Sequence, residues 1–303
     1  MLEKRVICQY PVRYLQDELQ DITTGDFIMI AANTGTGKST ISRLFMESSI
    51  EQGCPVVLYS LEDQEGIPDA NSVYQLVVKD GNYNMTFKQW LKDNTLHPEK
   101  YATYRQIAAE KAMRTNEDGL LMSVIHEQTP RTQWTLNKVI SQIKEEVRQG
   151  YRLFILDHID ILVPSEKPDD MVRAMRALWQ VVCENNIALI TFSQLATRRN
   201  LDSLCPALDD LRGSKAKIHT PTVVISIARH IYGYYNLGGD PMYKPTYMRI
   251  LKNRFGDTSC AVVFFYRGRY HEHYDIVNCN ESGTNIDNMT SKDLMKRQKE
   301  LIV

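Results

Sequence analysis

The sequence predicts an α/β fold in which a mostly parallel, twisted sheet is flanked by helices and is completed by a C-terminal β-hairpin. A short apolar run at residues 27–31 leads into a glycine-rich loop, and apolar residues at helical spacing follow that loop. Further short apolar runs each end in a polar side chain, and amphipathic patterns lie between them. This alternation is typical of parallel strands joined by crossover helices.

The glycine-rich loop at residues 32–39 matches a phosphate-binding P-loop, with alanine in place of the usual first glycine. Its glycines let backbone N–H groups surround a phosphate, its lysine brings a positive charge, and its serine hydroxyl is a ligand for Mg²⁺. The phosphates would lie at a helix N-terminus, where free N–H groups favour anions. The predicted nucleotide-binding residues are Ala32, Asn33, Thr34, Gly35, Thr36, Gly37, Lys38, Ser39 and Thr40.

The next predicted strand, residues 55–61, ends in Glu62 and Asp63. Ligands of doubly wound sheets bind beyond the carboxyl ends of the strands, so Glu62 is expected beside the P-loop. A carboxylate there is placed to take a proton from a water molecule that attacks the γ-phosphate. A helix-capping or salt-bridging acid explains its position equally well.

Residues 64–130 predict a largely helical insertion with breaks at Pro68, Gly81 and Pro98, and residues 120–125 predict a further strand. An amphipathic helix follows from residue 136 and is expected to end at Gly150.

The apolar run at residues 152–156 ends in Asp157. A strand that ends in aspartate typically supplies the second Mg²⁺ ligand of a P-loop site, and a simple turn acid is the alternative. Asp160 is expected further from the ion. The following strand, residues 187–192, leads to Gln194, whose amide is placed to hydrogen-bond the γ-phosphate or else simply faces solvent.

Basic residues are concentrated near the C-terminus: residues 212–270 contain ten Lys or Arg and two acids. The predicted hairpin pairs residues 248–251 with 261–266 and has basic groups at its tip. Charge alone leaves open whether this region binds nucleic acid or is an ordinary solvated surface.

Composition narrows the classes further. The 303 residues carry a net charge of −1, so overall charge gives no argument for a nucleic-acid partner. The six cysteines form no Cys-x-x-Cys pair, which indicates free thiols, and His271-Glu272-His273 lacks a third metal ligand at a sensible spacing. No apolar run is long enough to span a membrane, so we expect a soluble, intracellular protein. The predicted organisation is a lead-in at 1–24, one nucleotide-binding domain at 25–275 and a polar tail at 276–303.

These motifs resemble, in order and spacing, the C-terminal motor domain of DnaB-type replicative helicases, which are hexameric ATPases with a RecA-like fold. The resemblance includes no counterpart of the family's N-terminal collar. It rests on residues 25–39, 59–62, 154–157, 192–195 with 210–214, and 252–256.

The resemblance implies a role for each motif. Glu62 corresponds to the general base, Asp157 with Ser39 to the Mg²⁺ ligands, and Gln194 to the γ-phosphate sensor. Lys252 and Arg254 correspond to the pair that reaches into the ATP site of the next subunit. The family's DNA-binding loop, whose acid after the arginine is Gly213 here, corresponds to Arg212, Gly213 and Lys215.

The implied function is an ATP-driven helicase motor that uses Mg²⁺ and moves along single-stranded DNA as a homo-oligomer, expected to be a hexamer. The resemblance also implies work with a primase or a loader protein in the cytoplasm of a bacterial or phage-infected cell. Two alternatives use the same core. One is a RecA-like recombination or repair ATPase on single-stranded DNA, and the other is a KaiC-like regulatory ATPase without DNA translocation.

Overall fold

The computed structural model of the protein describes residues 4–63, 65–80, 85–130, 132–163, 167–195, 208, 211, 216–229, 235–237, 240–267 and 272–275. The strands are β1 Val6–Gln9, β2 Asp21–Thr23, β3 Phe27–Ala32, β4 Val56–Ser60, β5 Ser123–Glu127, β6 Leu153–Asp157, β7 Ala188–Gln194, β8 Val223–Arg229, β9 Tyr235–Leu237, β10 Asp240–Asn253, β11 Cys260–Arg267 and β12 Glu272–Asp275. The helices are α1 Arg13–Leu19, α2 Lys38–Glu51, α3 Ile67–Lys79, α4 Phe87–Leu96, α5 Ala102–Ala112, α6 Leu136–Gln149, α7 Ile159–Leu162, α8 Pro168–Asn185 and α9 Ala216–His219, with a 3-10 helix at Pro98–Tyr101.

The main sheet has the order β12-β11-β10-β8-β3-β7-β6-β4-β5. From β8 to β5 every neighbouring pair runs parallel, whereas β10 and β11 form an antiparallel hairpin at the other end. The predicted mostly parallel sheet and C-terminal hairpin are therefore confirmed. Because β3 lies between β7 and β8, the P-loop that follows β3 emerges near the middle of the sheet.

Alternate side chains of the strands point to opposite faces and fill two separate cores. On β3, Ile28 and Ile30 contribute to one core, which α1 and α2 cover, while Phe27 and Met29 contribute to the other, which α6 and α8 cover. Strands buried on both faces explain the continuous apolar runs of the sequence. The two cores hold the carboxyl ends of β3, β4, β6 and β7 in a fixed arrangement.

Helices α3 to α5 form a separate packing unit between β4 and β5. Its small core is centred on Trp90, which is fully buried, and includes Tyr74 and Tyr101. Both tyrosine rings lie close to the indole, with centroid distances of 5.4 and 5.6 Å. In the part of the chain that the structure describes, no helix is long and apolar enough to cross a membrane.

Candidate active site

The P-loop joins β3 to α2 through two glycines with positive φ. Gly35 has φ 74° and Gly37, the N-cap of α2, has φ 92°, a region that residues with a side chain rarely adopt. No heavy atom lies within 4 Å of a Cβ built on Gly35, so the loop leaves open space there. Lys38 begins α2 and is only 7% exposed. The loop therefore leads through two positive-φ glycines into the N-terminus of α2, as a phosphate site requires.

Strand register brings the other predicted site residues to this same edge of the sheet. Ala32, the last residue of β3, is paired with Gln194 at the end of β7. Ser60 at the end of β4 is paired with Asp157 at the end of β6, and the Leu61 N–H donates to the Asp157 carbonyl at 2.8 Å. Glu62 therefore follows directly from a strand end beside Asp157. The structure brings together the P-loop, Glu62, Asp157 and Gln194.

Asp157 is the most deeply buried acid of the site, with 1% of its surface exposed. Its Oδ2 accepts a hydrogen bond from Ser42 Oγ at 3.1 Å, whereas its Oδ1 is buried without a hydrogen-bond partner among the residues that the structure describes. Burial raises the pKa of Asp157, and the nearby Ser39 and Ser42 hydroxyls act against that rise. An unpartnered carboxylate oxygen next to the P-loop serine is the donor set that a hard cation prefers, so these residues fit Mg²⁺.

The two acids after β4 have different surroundings. Asp63 accepts from Ser60 Oγ at 3.1 Å and lies 3.5 Å from the buried guanidinium of Arg43. The Glu62 side chain is 50% exposed, and its Oε2 lies 3.4 Å from His158 Nε2. Asp63 is thus engaged in internal contacts, and Glu62 is the acid whose carboxylate is open to a water molecule.

Gln194 is held at both its backbone and its side chain. Its Nε2 donates to Thr34 Oγ1 in the P-loop at 2.5 Å, and its backbone N–H donates to Asp160 Oδ2 at 2.9 Å. The amide group therefore lies against the loop that surrounds the phosphates. A freely solvated glutamine, the alternative from sequence, does not describe this geometry.

Arg254 lies at the amino-terminal ends of the parallel strands, whereas the P-loop of its own chain lies at their carboxyl ends. Its backbone N–H donates to Thr222 at 3.0 Å, and the preceding Asn253 is paired with Val223 at the start of β8. Val223 in turn is paired with Ile28 near the start of β3. The Arg254 guanidinium lies 5.4 Å from the ring of Trp179 on α8.

Lys252 makes contacts within its own subunit. Its Nζ donates to the carbonyls of Ile218, His219 and Pro221, at 2.9, 2.8 and 2.6 Å. Burial lowers the pKa of Lys252, and the nearby Arg254 acts in the same direction. These bonds attach β10 to the end of α9. The role of Lys252 at a neighbouring ATP site stays a prediction, as do the roles of Arg212, Gly213 and Lys215, which lie outside the described residues.

Sequence reasoning gave no role to His158 or Lys217 and expected Asp160 only to lie further from the ion than Asp157. Asp160 Oδ2 lies 3.4 Å from His158 Nδ1, and its Oδ1 accepts from Lys217 Nζ. Although burial acts to raise it, the pKa of Asp160 is held well below its usual value by the contacts with His158 and Lys217. The position of Asp160, three residues after the buried Asp157, was the one signal in the sequence.

Comparisons with known proteins agree with this architecture. A search of curated protein sequences found no match. A solved ATPase domain superposes with a TM-score of 0.69 at 16% identity, covering 90% of this chain and 93% of its own. A structure described as a DnaB-like replicative helicase and its interactions with primase superposes with a TM-score of 0.65 at 17% identity. The match covers 88% of this chain and 63% of that helicase.

At these identities the structural neighbours show a shared RecA-like fold. The family assignment comes from the sequence comparison, in which residues 11–274 match the family described as DnaB-like helicase C terminal domain. That match covers most of the 303 residues, and the chain therefore belongs to the DnaB-like helicase C-terminal domain family.

Proposed function

We propose that this chain is an ATP-dependent helicase motor that hydrolyses ATP with Mg²⁺ between subunits and moves along single-stranded DNA during replication. The observation that carries the proposal is the meeting of four elements at one sheet edge: the P-loop, Asp157 with its unpartnered oxygen, the half-exposed Glu62, and Gln194 against Thr34. A buried metal ligand beside an open carboxylate suits hydrolysis rather than mere nucleotide binding.

Each residue has a defined task in this proposal. The P-loop N–H groups and Lys38 bind the phosphates. Ser39 and Asp157 would hold Mg²⁺, which would supply positive charge to the phosphate oxygens. Glu62 accepts the proton of the attacking water molecule, because its carboxylate is exposed next to the site. Gln194 contacts the terminal phosphate and changes partner when that phosphate leaves.

The position of Arg254 supports an active site that two subunits complete. The P-loop of its own chain begins at the far end of β3, four residues beyond Ile28 and about 13 Å along the strand. An arginine side chain cannot span that distance together with the turn. A neighbouring subunit in a head-to-tail ring would bring its own P-loop to this hairpin, which favours a ring over a free monomer. The resemblance to DnaB-type helicases makes a hexamer the expected ring.

Single-stranded DNA, a primase or a loader protein, and a cytoplasmic location complete the proposal. They follow from membership of the family and from the basic residues Arg212 and Lys215.

The proposal is tested with Lys38→Ala and a matched surface control, Lys88→Ala on α4. Phosphate release is measured with Mg²⁺-ATP, with and without a single-stranded oligonucleotide, and a forked duplex reports unwinding. We expect DNA-stimulated hydrolysis and unwinding in the natural protein and the control, and loss of both in Lys38→Ala. Full ATPase activity in Lys38→Ala would refute the site, and hydrolysis without unwinding would favour the recombination or regulatory alternatives.

A further inference from the structure

The Asp160 carboxylate joins three elements at the edge of the candidate active site. It belongs to α7, and its Oδ2 accepts from two groups at the end of β7, the Gln194 backbone N–H at 2.9 Å and Ser193 Oγ at 3.0 Å. Its Oδ1 accepts from Lys217 Nζ on α9. Asp160 therefore fixes the backbone from which the Gln194 side chain reaches the P-loop.

Lys217 is a buried cation, with 1% of its surface exposed. A buried ammonium group is strongly unfavourable unless a carboxylate and hydrogen bonds replace its water shell. Asp160 supplies that carboxylate, and the two residues are 57 positions apart in the chain. Any displacement of α9 that carries Lys217 away would leave both charges without their partner, so the positions of Asp160 and α9 are linked.

Two routes lead from this ion pair to the groups that face the nucleotide. One passes through the Gln194 backbone to its Nε2, which donates to Thr34 Oγ1 at 2.5 Å. The other passes through His158, whose Nδ1 lies 3.4 Å from Asp160 and whose Nε2 lies 3.4 Å from Glu62. Ser193 and Gln194 donate hydrogen bonds directly to Asp160, so the first route is the stronger one.

The C-terminal end of α9 is attached to β10 through Lys252. Lys252 donates to the carbonyls of Ile218, His219 and Pro221, and so ties α9 to the strand that leads to Arg254. In the sequence, α9 begins directly after Lys215 in the predicted DNA-binding segment. The helix thus lies between the Asp160 contact and the hairpin.

We propose that Asp160 is a positioning residue for Gln194: its acceptor oxygen fixes the Gln194 backbone N–H, and the buried Lys217 balances its charge. Asp160 itself does not touch the nucleotide. The inference rests on the proposed ATPase function, in which Gln194 contacts the terminal phosphate. The acceptor oxygen at position 160 therefore affects turnover but not the affinity for the nucleotide.

The test compares two double variants that both remove the ion pair and leave no orphan charge. Asp160→Asn with Lys217→Met keeps an acceptor oxygen for the Gln194 N–H, whereas Asp160→Leu with Lys217→Met removes it. We expect kcat of the Asn variant within about 3-fold of the natural protein, and a fall of at least ~10-fold for the Leu variant, because small misplacements near reacting groups reduce turnover strongly. The affinity for a fluorescent ATP analogue should change less than about 3-fold in both.

Lys144→Met is the control for loss of a lysine ion pair elsewhere, since Lys144 pairs with Glu184 on the exposed surface at 3.9 Å. Thermal melts establish that each variant is folded, and Asp160→Ala replaces Asp160→Leu if the larger side chain prevents folding. Equal kcat in the acceptor and non-acceptor variants would overturn the inference. A natural protein that shows no ATPase activity would instead refute the proposed function, so the two failures are distinguishable.

Discussion

Replacing Arg254 with alanine should abolish ATP hydrolysis only at the interface to which that subunit contributes its hairpin. Arg254 follows a strand end that is paired, through Val223, with the start of β3, whereas the P-loop follows the end of β3. On this geometry we expect the arginine to serve the site of a neighbouring subunit. Loss of such an arginine reduces turnover by ~10³–10⁵ in P-loop enzymes, or about 4–7 kcal/mol of transition-state stabilisation.

A mixing experiment measures whether Arg254 acts on the active site of a neighbouring subunit. Arg254→Ala subunits retain an intact P-loop, and Lys38→Ala subunits retain an intact hairpin. In a random equal mixture, about one quarter of head-to-tail interfaces combine an intact P-loop with an intact Arg254. We expect each variant alone to be nearly inactive and the mixture to recover up to about a quarter of the natural turnover, less if neighbouring sites are coupled.

Phosphate release on single-stranded DNA measures the recovery, and co-assembly is checked by size-exclusion chromatography with light scattering. Arg148→Ala on α6 is a matched control, because its guanidinium forms an exposed ion pair with Glu145. Natural activity in Arg254→Ala alone would refute the assignment. Inactive variants that co-assemble without any recovery would show that Arg254 acts within its own subunit.

Three further predictions concern single features. Glu62→Gln should bind ATP normally but lower turnover at least ~10²-fold in a steady-state assay, and near-natural turnover would exclude Glu62 as the base. Arg212→Ala with Lys215→Ala should weaken binding of single-stranded DNA regardless of its sequence and reduce the log–log salt slope by roughly 1.4 in a fluorescence anisotropy titration, and an unchanged slope would exclude both contacts. Gly150→Ala should lower the free energy of unfolding by about 1–3 kcal/mol in denaturant melts, because Gly150 has φ 122°, which residues with a side chain rarely adopt; the Leu120 methyl group 2.8 Å from the new Cβ can move aside, and an unchanged midpoint would contradict the prediction.

Local patterns in the sequence predicted the central sheet and one helix closely. The apolar spacing from residue 136 and the glycine at 150 predicted α6, which spans Leu136–Gln149 and has Gly150 as its C-cap. The strand expected at 120–125 was displaced to Ser123–Glu127, because Leu120 belongs to the preceding turn, where its N–H donates to the Asn116 side chain at 2.9 Å. Neither residue type nor periodicity signals such a shift.

Contacts between distant residues explain what the sequence could not reveal about the site. Gln194 was predicted from its place at a strand end, but the Asp160 and Lys217 side chains that hold it belong to short helices with no motif. Lys252 was expected at a neighbouring subunit, and its bonds to three carbonyls of its own chain depend on how α9 meets β10. Such contacts depend on tertiary packing between segments that are distant in the sequence, so a local sequence pattern cannot predict them.

The P-loop and Arg254 lie at opposite ends of the parallel strands, and this placement has a consequence for the unassembled protein. If the proposed head-to-tail assembly is correct, a free subunit holds both halves of a catalytic centre and can never join them. Newly made chains would then bind ATP without hydrolysing it. Hydrolysis would begin only when the concentration of subunits is high enough for a ring to form. Specific activity should therefore fall on dilution, and assembly would prevent ATP hydrolysis by subunits that are not part of a ring.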